Sequence, residues 1–207
     1  MKLLEGNVAV ITGAARGIGR AVALNFGRHG ADVAFTDMAI DDNVKSLEKE
    51  LTELGVKGKG YASDASKFQQ SHELIEKIIA DFGKVDVLVN NAGYAVYGPF
   101  EASTPEQVKK QFETNVFGLM EMTRAVLPLF RAQQEGLIIN ITSMGGRLGF
   151  PLYSIYNSTK WAVEGYSEAL QYELKSHNIR VKTIEPGVIK TDFYDRSLDR
   201  SESVVEN

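Results

Sequence analysis

The sequence VAVITGAARGIG, residues 8–19, decides the fold that we expect for this chain. Residues 8–12 are almost all apolar, as in a strand buried on both faces of a parallel sheet, and Gly13, Gly17 and Gly19 follow. Residues 20–29 then carry apolar side chains at helical spacing. Glycines between a strand and a helix allow close backbone approach, and the helix N-terminus offers unpaired N–H groups to a phosphate. An ordinary glycine-rich turn is the alternative, but the flanking strand and helix favour a phosphate-binding loop.

Strand-like and helix-like segments alternate along the rest of the chain. Apolar runs typical of strands lie at residues 31–36, 85–89 and 137–142, a weaker strand candidate lies at 57–62, and a further strand is expected at 179–184. Helical patterns lie at 43–54, 66–82, 107–134 and 153–177. We expect Pro128 to bend the third of these helices or to mark its last turns. Connections of crossover length predict an α/β fold, a three-layer, doubly wound and mainly parallel sheet of six strands. No linker or repeat interrupts the pattern, so a single domain over residues 1–207 is expected.

Composition narrows the class of protein. The 207 residues are 43% hydrophobic and 24% charged, with a formal net charge of -4 and no block of Lys and Arg, which argues against nucleic acid as a partner. The absence of cysteine fits a reducing cytoplasm. No run resembles a signal peptide or a membrane span, so no membrane association and a cytoplasmic location are expected. The three histidines show no metal-ligand spacing, so no metal site is expected.

Acidic and amide side chains follow several predicted strands. Asp37 lies 20 residues after Gly17, where an acidic side chain can accept hydrogen bonds from the adenosine ribose of a dinucleotide. The carboxylate would repel a 2′-phosphate, which favours NAD over NADP, although Arg16 keeps NADP as an alternative. Asp64 could face the adenine or cap the next helix, and both readings stay open. The small and amide residues 90–93 suit the floor of a nucleotide site.

Tyr156 and Lys160 are one helical turn apart and would point into the same pocket. A lysine cation within a few ångströms lowers the pKa of a tyrosine by roughly 1–3 units, which would make the phenol usable in proton transfer. Ser143 follows a predicted strand and is placed on the same rim. Asn115 interrupts an apolar helical pattern, either as a structural bridge or as part of a polar relay.

These motifs, in this order, closely resemble those of the classical short-chain dehydrogenase/reductase family. The motifs are Thr12-Gly13-x-x-x-Gly17-x-Gly19, Asn90-Asn91-Ala92-Gly93, Asn115, Ser143, Tyr156-x-x-x-Lys160 and Pro186-Gly187, and the match runs from about residue 5 to about 195. The resemblance implies a Rossmann fold and hydride transfer between a nicotinamide cofactor and an alcohol or carbonyl substrate. It also implies a homodimer or a homotetramer. Family members usually continue for several dozen residues beyond this point, so a seventh strand is expected to be missing here.

The resemblance assigns roles to particular residues. Tyr156 would be the general acid/base, Lys160 would lower its pKa and hold the nicotinamide ribose, Ser143 would orient the substrate oxygen, and Asn115 would hold a water as a proton relay. The expected cofactor-binding residues are Gly13, Arg16, Gly17, Ile18, Gly19, Asp37, Asp64, Asn91, Ala92, Gly93, Tyr156, Lys160, Pro186, Gly187 and Thr191.

Mostly apolar residues after the strand ends suggest a substrate with a hydrophobic body, in a pocket lined by Tyr94, Val96, Tyr97, Met144, Leu148, Tyr153 and Val188. Two alternatives are an NAD-sensing regulator without turnover and an inactive, truncated fragment. The acid/base residues argue against the sensor, because binding alone does not require them.

Overall fold

The computed structural model of the protein describes residues 2–191, 193 and 197–201. Its strands are β1 (Val8–Ile11), β2 (Asp32–Asp37), β3 (Gly58–Ala62), β4 (Val87–Asn90), β5 (Ala95–Tyr97), β6 (Gly136–Ile141), β7 (Ile179–Ile184) and β8 (Leu198–Arg200). Six of them form one parallel sheet in the order β3-β2-β1-β4-β6-β7. The predicted doubly wound sheet of six strands is therefore confirmed.

The helices are α1 (Gly17–Arg28), α2 (Asp42–Glu53), α3 (Ser71–Phe82), α4 (Pro105–Phe112), α5 (Leu119–Gln133) and α6 (Ser154–Leu174). The single helix expected over residues 107–134 is divided, because a π-helical turn, Glu113–Gly118, separates α4 from α5. Helix α5 continues past Pro128 to Gln133, so the proline lies in its last turns. Helix α1 begins at Gly17, earlier than the sequence pattern indicated, and its first turn therefore contains two of the loop glycines.

Two apolar cores cover the two faces of the main sheet, which makes the three layers. Successive strand residues point to opposite faces, so Val10 and Leu88 pack on α3, α5 and α6, whereas Ile11 and Val89 pack on α1 and α2. All four side chains are fully buried. Burial on both faces explains why the central strands are continuous apolar runs.

A second, two-stranded sheet was not expected from the sequence. Strands β5 and β8 pair in parallel, with Ala95 opposite Leu198 and Tyr97 opposite Arg200. Each strand has three residues, too few for a period-2 pattern to be recognised. The pairing brings residues 198–200 over the carboxyl end of the main sheet, next to the segment that follows β4.

The end of β1 is joined to the end of β4 by side-chain hydrogen bonds. The Thr12 hydroxyl accepts from the backbone N–H groups of Asn91 and Ala92, each at 3.0 Å. In return, the Asn91 amide donates to the carbonyls of Thr12 and Gly13, at 2.9 and 2.8 Å. These bonds fix the glycine loop against the segment after β4, at the place where the chain order in the sheet reverses.

We predict that Thr12→Val lowers the free energy of unfolding by roughly 1–3 kcal/mol, because the variant leaves two backbone N–H groups without their acceptor. Urea denaturation of the variant and the wild type measures the difference. Thr12→Ser keeps the hydroxyl and is the matched control. Equal stability of the valine variant and the wild type would show that these hydrogen bonds do not hold the loop.

Candidate active site

A cleft of about 1250 Å³ lies at the carboxyl ends of the sheet strands. The strand order reverses between β1 and β4, and ligands of open parallel sheets bind at such a point. The cleft brings together most of the residues predicted from the sequence: Gly13, Arg16, Gly17, Ile18, Asp37, Asp64, Asn91, Ala92, Gly93, Ser143, Tyr156, Lys160, Pro186, Gly187 and Thr191. Two predicted residues, Gly19 and Asn115, lie behind its wall.

The N-terminus of α1 faces this cleft without a side-chain cap. Its N-cap residue, Arg16, makes no capping hydrogen bond, whereas Asp41 caps α2 and Thr104 caps α4. The first-turn N–H groups of α1 therefore lack the side-chain acceptor that the other two helices have. Such an end suits an anionic group, and Gly17 and Ile18 line the cleft beside it.

Gly13 and Gly19 serve packing in the glycine loop. Gly13 has a φ of +64°, and a Cβ there would lie 2.9 Å from the Cα of Ala92. A Cβ on Gly19 would lie 2.6 Å from both the Asn91 amide nitrogen and the Gly13 carbonyl oxygen. Gly19, which was predicted to contact the cofactor, lies against Asn91 and does not line the cleft, and its contact with a cofactor stays a prediction.

The Asp37 carboxylate is fixed at the end of β2. One oxygen accepts from the Ala15 N–H at 3.0 Å, the other accepts from the Met38 N–H at 2.9 Å, and the Arg16 guanidinium lies 3.8 Å away. The carboxylate therefore has a set orientation on the cleft wall. Asp37, which would favour NAD, and Arg16, which would favour NADP, therefore form an ion pair.

Asp64 lies on the cleft wall and also shapes its own loop. Its carboxylate accepts from the N–H and the hydroxyl of Ser66, at 2.9 and 2.7 Å. Helix α3 begins only at Ser71, so Asp64 does not cap it. The position on the wall is compatible with the adenine contact that the sequence suggested.

Lys160 is buried beneath the centre of the cleft, with 6% of its surface exposed. Its ammonium donates to the Ile141 carbonyl at 2.9 Å and lies 5.7 Å from the centre of the Tyr156 ring. Burial lowers the pKa of Lys160 to about 8, and the negative charge of Glu164 opposes that shift. The side chain is therefore mainly protonated at neutral pH, as a partner for a phenolate must be.

Asn115 lies in the π-helical turn and is buried. Its amide group donates to the Tyr94 carbonyl at 2.9 Å and to the Thr159 hydroxyl at 3.1 Å, and it accepts from the Tyr94 N–H at 3.1 Å. It thus joins the segment after β4 to α6, which is the structural bridge considered from the sequence. A Cβ on Gly93 would lie 3.1 Å from the Asn115 oxygen and 3.8 Å from the Lys160 ammonium, so both groups lie close to Gly93.

Ser143 and Tyr156 both lie close to Gly145. The Ser143 hydroxyl accepts from the Gly145 N–H at 3.0 Å. A Cβ on Gly145 would lie 3.5 Å from that hydroxyl and 3.3 Å from a ring carbon of Tyr156. The missing side chain at Gly145 therefore allows the serine and the tyrosine to share one part of the cleft.

Aromatic rings form a row at the outer part of the cleft. Tyr97 and Tyr153 have ring centres 4.9 Å apart, Tyr153 and Tyr156 are 6.0 Å apart, and Tyr156 and Phe193 are 6.4 Å apart. Phe193 was missed in the sequence, as were the residues of β8 that line the cleft, because no motif marks them.

Five of the seven residues expected to line a substrate pocket do so: Tyr94, Tyr97, Met144, Tyr153 and Val188. Val96 does not, because it points into the interior from β5 and is only 2% exposed. Leu148 does not either, because it lies outside the cleft and is 57% exposed. Alternation along a short strand that the sequence did not reveal accounts for the first error.

Residues 2–191, 193 and 197–201 contain no helix long and apolar enough to cross a bilayer. Within the same residues, no group of three His, Cys, Asp or Glu side chains is arranged to hold a metal ion.

Fold and cleft together define a protein of the doubly wound α/β class with a cleft at the point where the strand order reverses, and comparison with known proteins gives its family. The model of the short chain dehydrogenase family matches residues 7–201. This chain therefore belongs to that family.

Relatives and solved structures agree with this assignment. An uncharacterized oxidoreductase of Schizosaccharomyces pombe is 49% identical over 130 residues, which cover 63% of this chain and 55% of the yeast protein. The matched segment thus spans about half the length of that relative. A structure of NAD⁺-bound xylitol dehydrogenase is 32% identical with a TM-score of 0.86, covering 90% of this chain and 72% of the other. A metagenomic short-chain oxidoreductase in complex with NADP is 33% identical with a TM-score of 0.85, covering 89% and 84%. The comparisons support an oxidoreductase and a nicotinamide cofactor without separating NAD from NADP.

We predict that Lys160→Met raises the free energy of unfolding at about pH 7, by roughly 1–3 kcal/mol. The folded pKa of Lys160, about 8, lies below its ordinary value of 10.5, so folding opposes the charged form. This destabilisation is fully present below about pH 8 and disappears as the pH rises toward 10.5. Denaturation with urea at several pH values should show a stability difference that narrows in this range.

Lys175→Met, just beyond the end of α6, is the control, because Lys175 is exposed. That variant should show neither the gain in stability nor its dependence on pH. A Lys160→Met variant less stable than the wild type at neutral pH would contradict the burial argument.

Proposed function

We propose that this chain transfers a hydride between a nicotinamide cofactor and a secondary alcohol or ketone with a hydrophobic body. The main support for this proposal is the buried Lys160 ammonium, which lies 5.7 Å from the centre of the Tyr156 ring in the cleft. A buried cation beside a phenol has an evident use in proton transfer and little use in binding alone. The Ser143 hydroxyl lies on the other side of Gly145, where it can meet the same substrate oxygen.

The residues of the cleft fit the cofactor. The uncapped N-terminus of α1 would take the pyrophosphate, and the oriented Asp37 carboxylate would accept from the adenosine ribose hydroxyls. The proposed wall of the cofactor site also includes Asp64, Asn91, Pro186 and Thr191. NAD is favoured over NADP, because the fixed negative charge of Asp37 would repel a 2′-phosphate, and Arg16 already pairs with that charge.

Acid/base chemistry follows from the side chains of this chain. A bound nicotinamide supplies the acceptor or donor of the hydride. In the direction of oxidation, Tyr156 removes the proton of the substrate hydroxyl, and the Lys160 cation stabilises the phenolate that accepts it. Ser143 donates a hydrogen bond to the substrate oxygen and stabilises charge that develops there. In reduction the same groups act in reverse, with Tyr156 as the acid.

Asn115 has a supporting part in this scheme. Its side-chain oxygen accepts one protein hydrogen bond, from the Tyr94 N–H, and such an oxygen can accept a second, from a water. That oxygen and the Lys160 ammonium both lie close to Gly93, so one water could bond to both. We assign to it the water that would pass protons between Lys160 and solvent.

The substrate would lie along the aromatic row formed by Tyr97, Tyr153, Tyr156 and Phe193. Flat apolar surfaces of this kind suit a hydrophobic body next to the reacting carbon.

We further propose that the chain forms one catalytic domain, acts in the cytoplasm and assembles as a homodimer or homotetramer. The exposed aromatic side chains Phe117, Trp161 and Tyr172, in the π-helical turn and on α6, support the assembly.

We predict that Tyr156→Phe keeps cofactor binding but lowers turnover by roughly 100-fold or more, because it removes only the hydroxyl that transfers the proton. Absorbance of the reduced nicotinamide measures turnover on a panel of secondary alcohols and ketones, and calorimetry measures binding. Tyr153→Phe removes a hydroxyl from the adjoining ring and should cause a much smaller loss.

Near-wild-type turnover of Tyr156→Phe would contradict the mechanism. Absence of turnover in the wild type over the whole panel, with NAD still bound, would favour an NAD sensor or a chain that needs further residues for catalysis.

We predict that Asp37→Ala lowers the ratio of kcat/KM with NAD to kcat/KM with NADP by roughly 10-fold or more, since the variant loses charge-assisted hydrogen bonds and repulsion of the 2′-phosphate. Asp37→Asn keeps an acceptor oxygen and separates the two effects. An unchanged ratio in both variants would mean that other residues set the preference.

A further inference from the structure

Glu164 is a buried acid that the proposed reaction does not use. It lies one helical turn after Lys160 on α6, and only 6% of its surface is exposed. One of its oxygens forms an ion pair with Arg147 at 3.0 Å. The other oxygen is buried and has no hydrogen-bond partner among the residues that the structure describes. Burying a carboxylate with an unsatisfied oxygen is costly, so the position calls for a reason beyond packing.

Arg147 connects this carboxylate to two segments of the active site. It follows the turn at Met144–Gly146, directly after Ser143. Its guanidinium also contacts Glu185, at 3.0 and 3.2 Å, and Glu185 precedes Pro186 on the cleft wall. One arginine thus holds Glu164 in place and joins α6 to the segments after β6 and after β7.

The surroundings of Lys160 provide little else to stabilise a cation. The Ile141 carbonyl that accepts from the ammonium carries no formal charge, and neither does the Asn115 oxygen on the side of Gly93. Tyr156 is the titratable group on the side of the cleft. Glu164 supplies a negative charge that acts on Lys160, while Arg147, Glu185 and Glu168 lie beyond it around the guanidinium.

We propose that Glu164 is a positioning residue of the reaction, which keeps Lys160 in its charged form from within α6 and is itself held in place by Arg147. The proposal rests on the proposed function in one respect, because the charge of Lys160 matters to catalysis only if Tyr156 transfers a proton. The electrostatic link between Glu164 and Lys160 is independent of turnover. It can therefore be measured separately.

The first experiment is an NMR titration of the protein labelled with ¹³C at the lysine Cε atoms. Lys160→Met assigns the resonance of Lys160 by its disappearance. The wild-type titration midpoint should lie near the pKa of about 8. In Glu164→Gln the midpoint should fall by roughly half a pH unit or more, since the nearby negative charge is lost. Glu168→Gln removes the same charge from an exposed position one turn further along α6 and should leave the midpoint in place.

The second measurement is the pH profile of kcat in the same variants. Its alkaline limb, where Lys160 loses its proton, should move to lower pH in Glu164→Gln and stay in place in Glu168→Gln. A purely structural role would lower the rate equally at every pH and leave the Lys160 midpoint unchanged, and this result would overturn the proposal.

A variant that does not fold and a protein that shows no turnover can each be told apart from failure of this proposal. If Glu164→Gln does not fold, the double variant Glu164→Gln/Arg147→Gln removes both members of the ion pair. Its Lys160 midpoint should also fall, because Glu164 and not Arg147 is the charge that acts on Lys160. A midpoint at or above that of the wild type would reject the proposal. A shifted midpoint in a protein that shows no turnover would uphold the link between Glu164 and Lys160 and reject the proposed function instead.

Discussion

The burial of one charged amine is the constraint on which the rest of the site depends. Lys160 lies beneath the cleft, where desolvation disfavours its cation and lowers its pKa, and two groups of the protein partly offset that cost. Those groups come from different parts of the chain: the carbonyl of Ile141 at the end of β6 and the carboxylate of Glu164 on α6. The fold must therefore hold helix and sheet in a fixed relation, which it does through the apolar core between them.

Hydrogen bonds hold the glycine-loop side of the cleft in the same fixed relation. Thr12 and Asn91 join the ends of β1 and β4, and Asn115 joins the following segment to α6. Each of these residues is polar, mostly buried and bonded to backbone groups that would otherwise be unsatisfied. The cleft is thus held by polar contacts at the sheet end, while the apolar layers provide most of the stability.

The sequence predicted well wherever one physical pattern was long or repeated. Strand β7 was predicted with its observed bounds, Ile179–Ile184, since apolar and polar side chains alternate at its start and the turn residues Glu185-Pro186-Gly187 follow it. The division of the helix at Glu113–Gly118 was not predicted, because a π-helical turn leaves the apolar spacing nearly unchanged. Strands β5 and β8 were missed because their three-residue pairing joins segments about 100 residues apart in the chain. The error at Val96 follows from that omission.

What the sequence by itself determined was the α/β class, the order of the six strands along the chain, the family, and the residues that gather at the cleft. These depend on local patterns and on the rule that parallel strands end at one edge of a sheet. Tertiary structure alone decided that Gly19 packs against Asn91, that Asn115 bridges two elements, and that Arg147 pairs with both Glu164 and Glu185. The reason is that burial and distance between residues far apart in the chain set a charge's environment, and no spacing along the sequence encodes them.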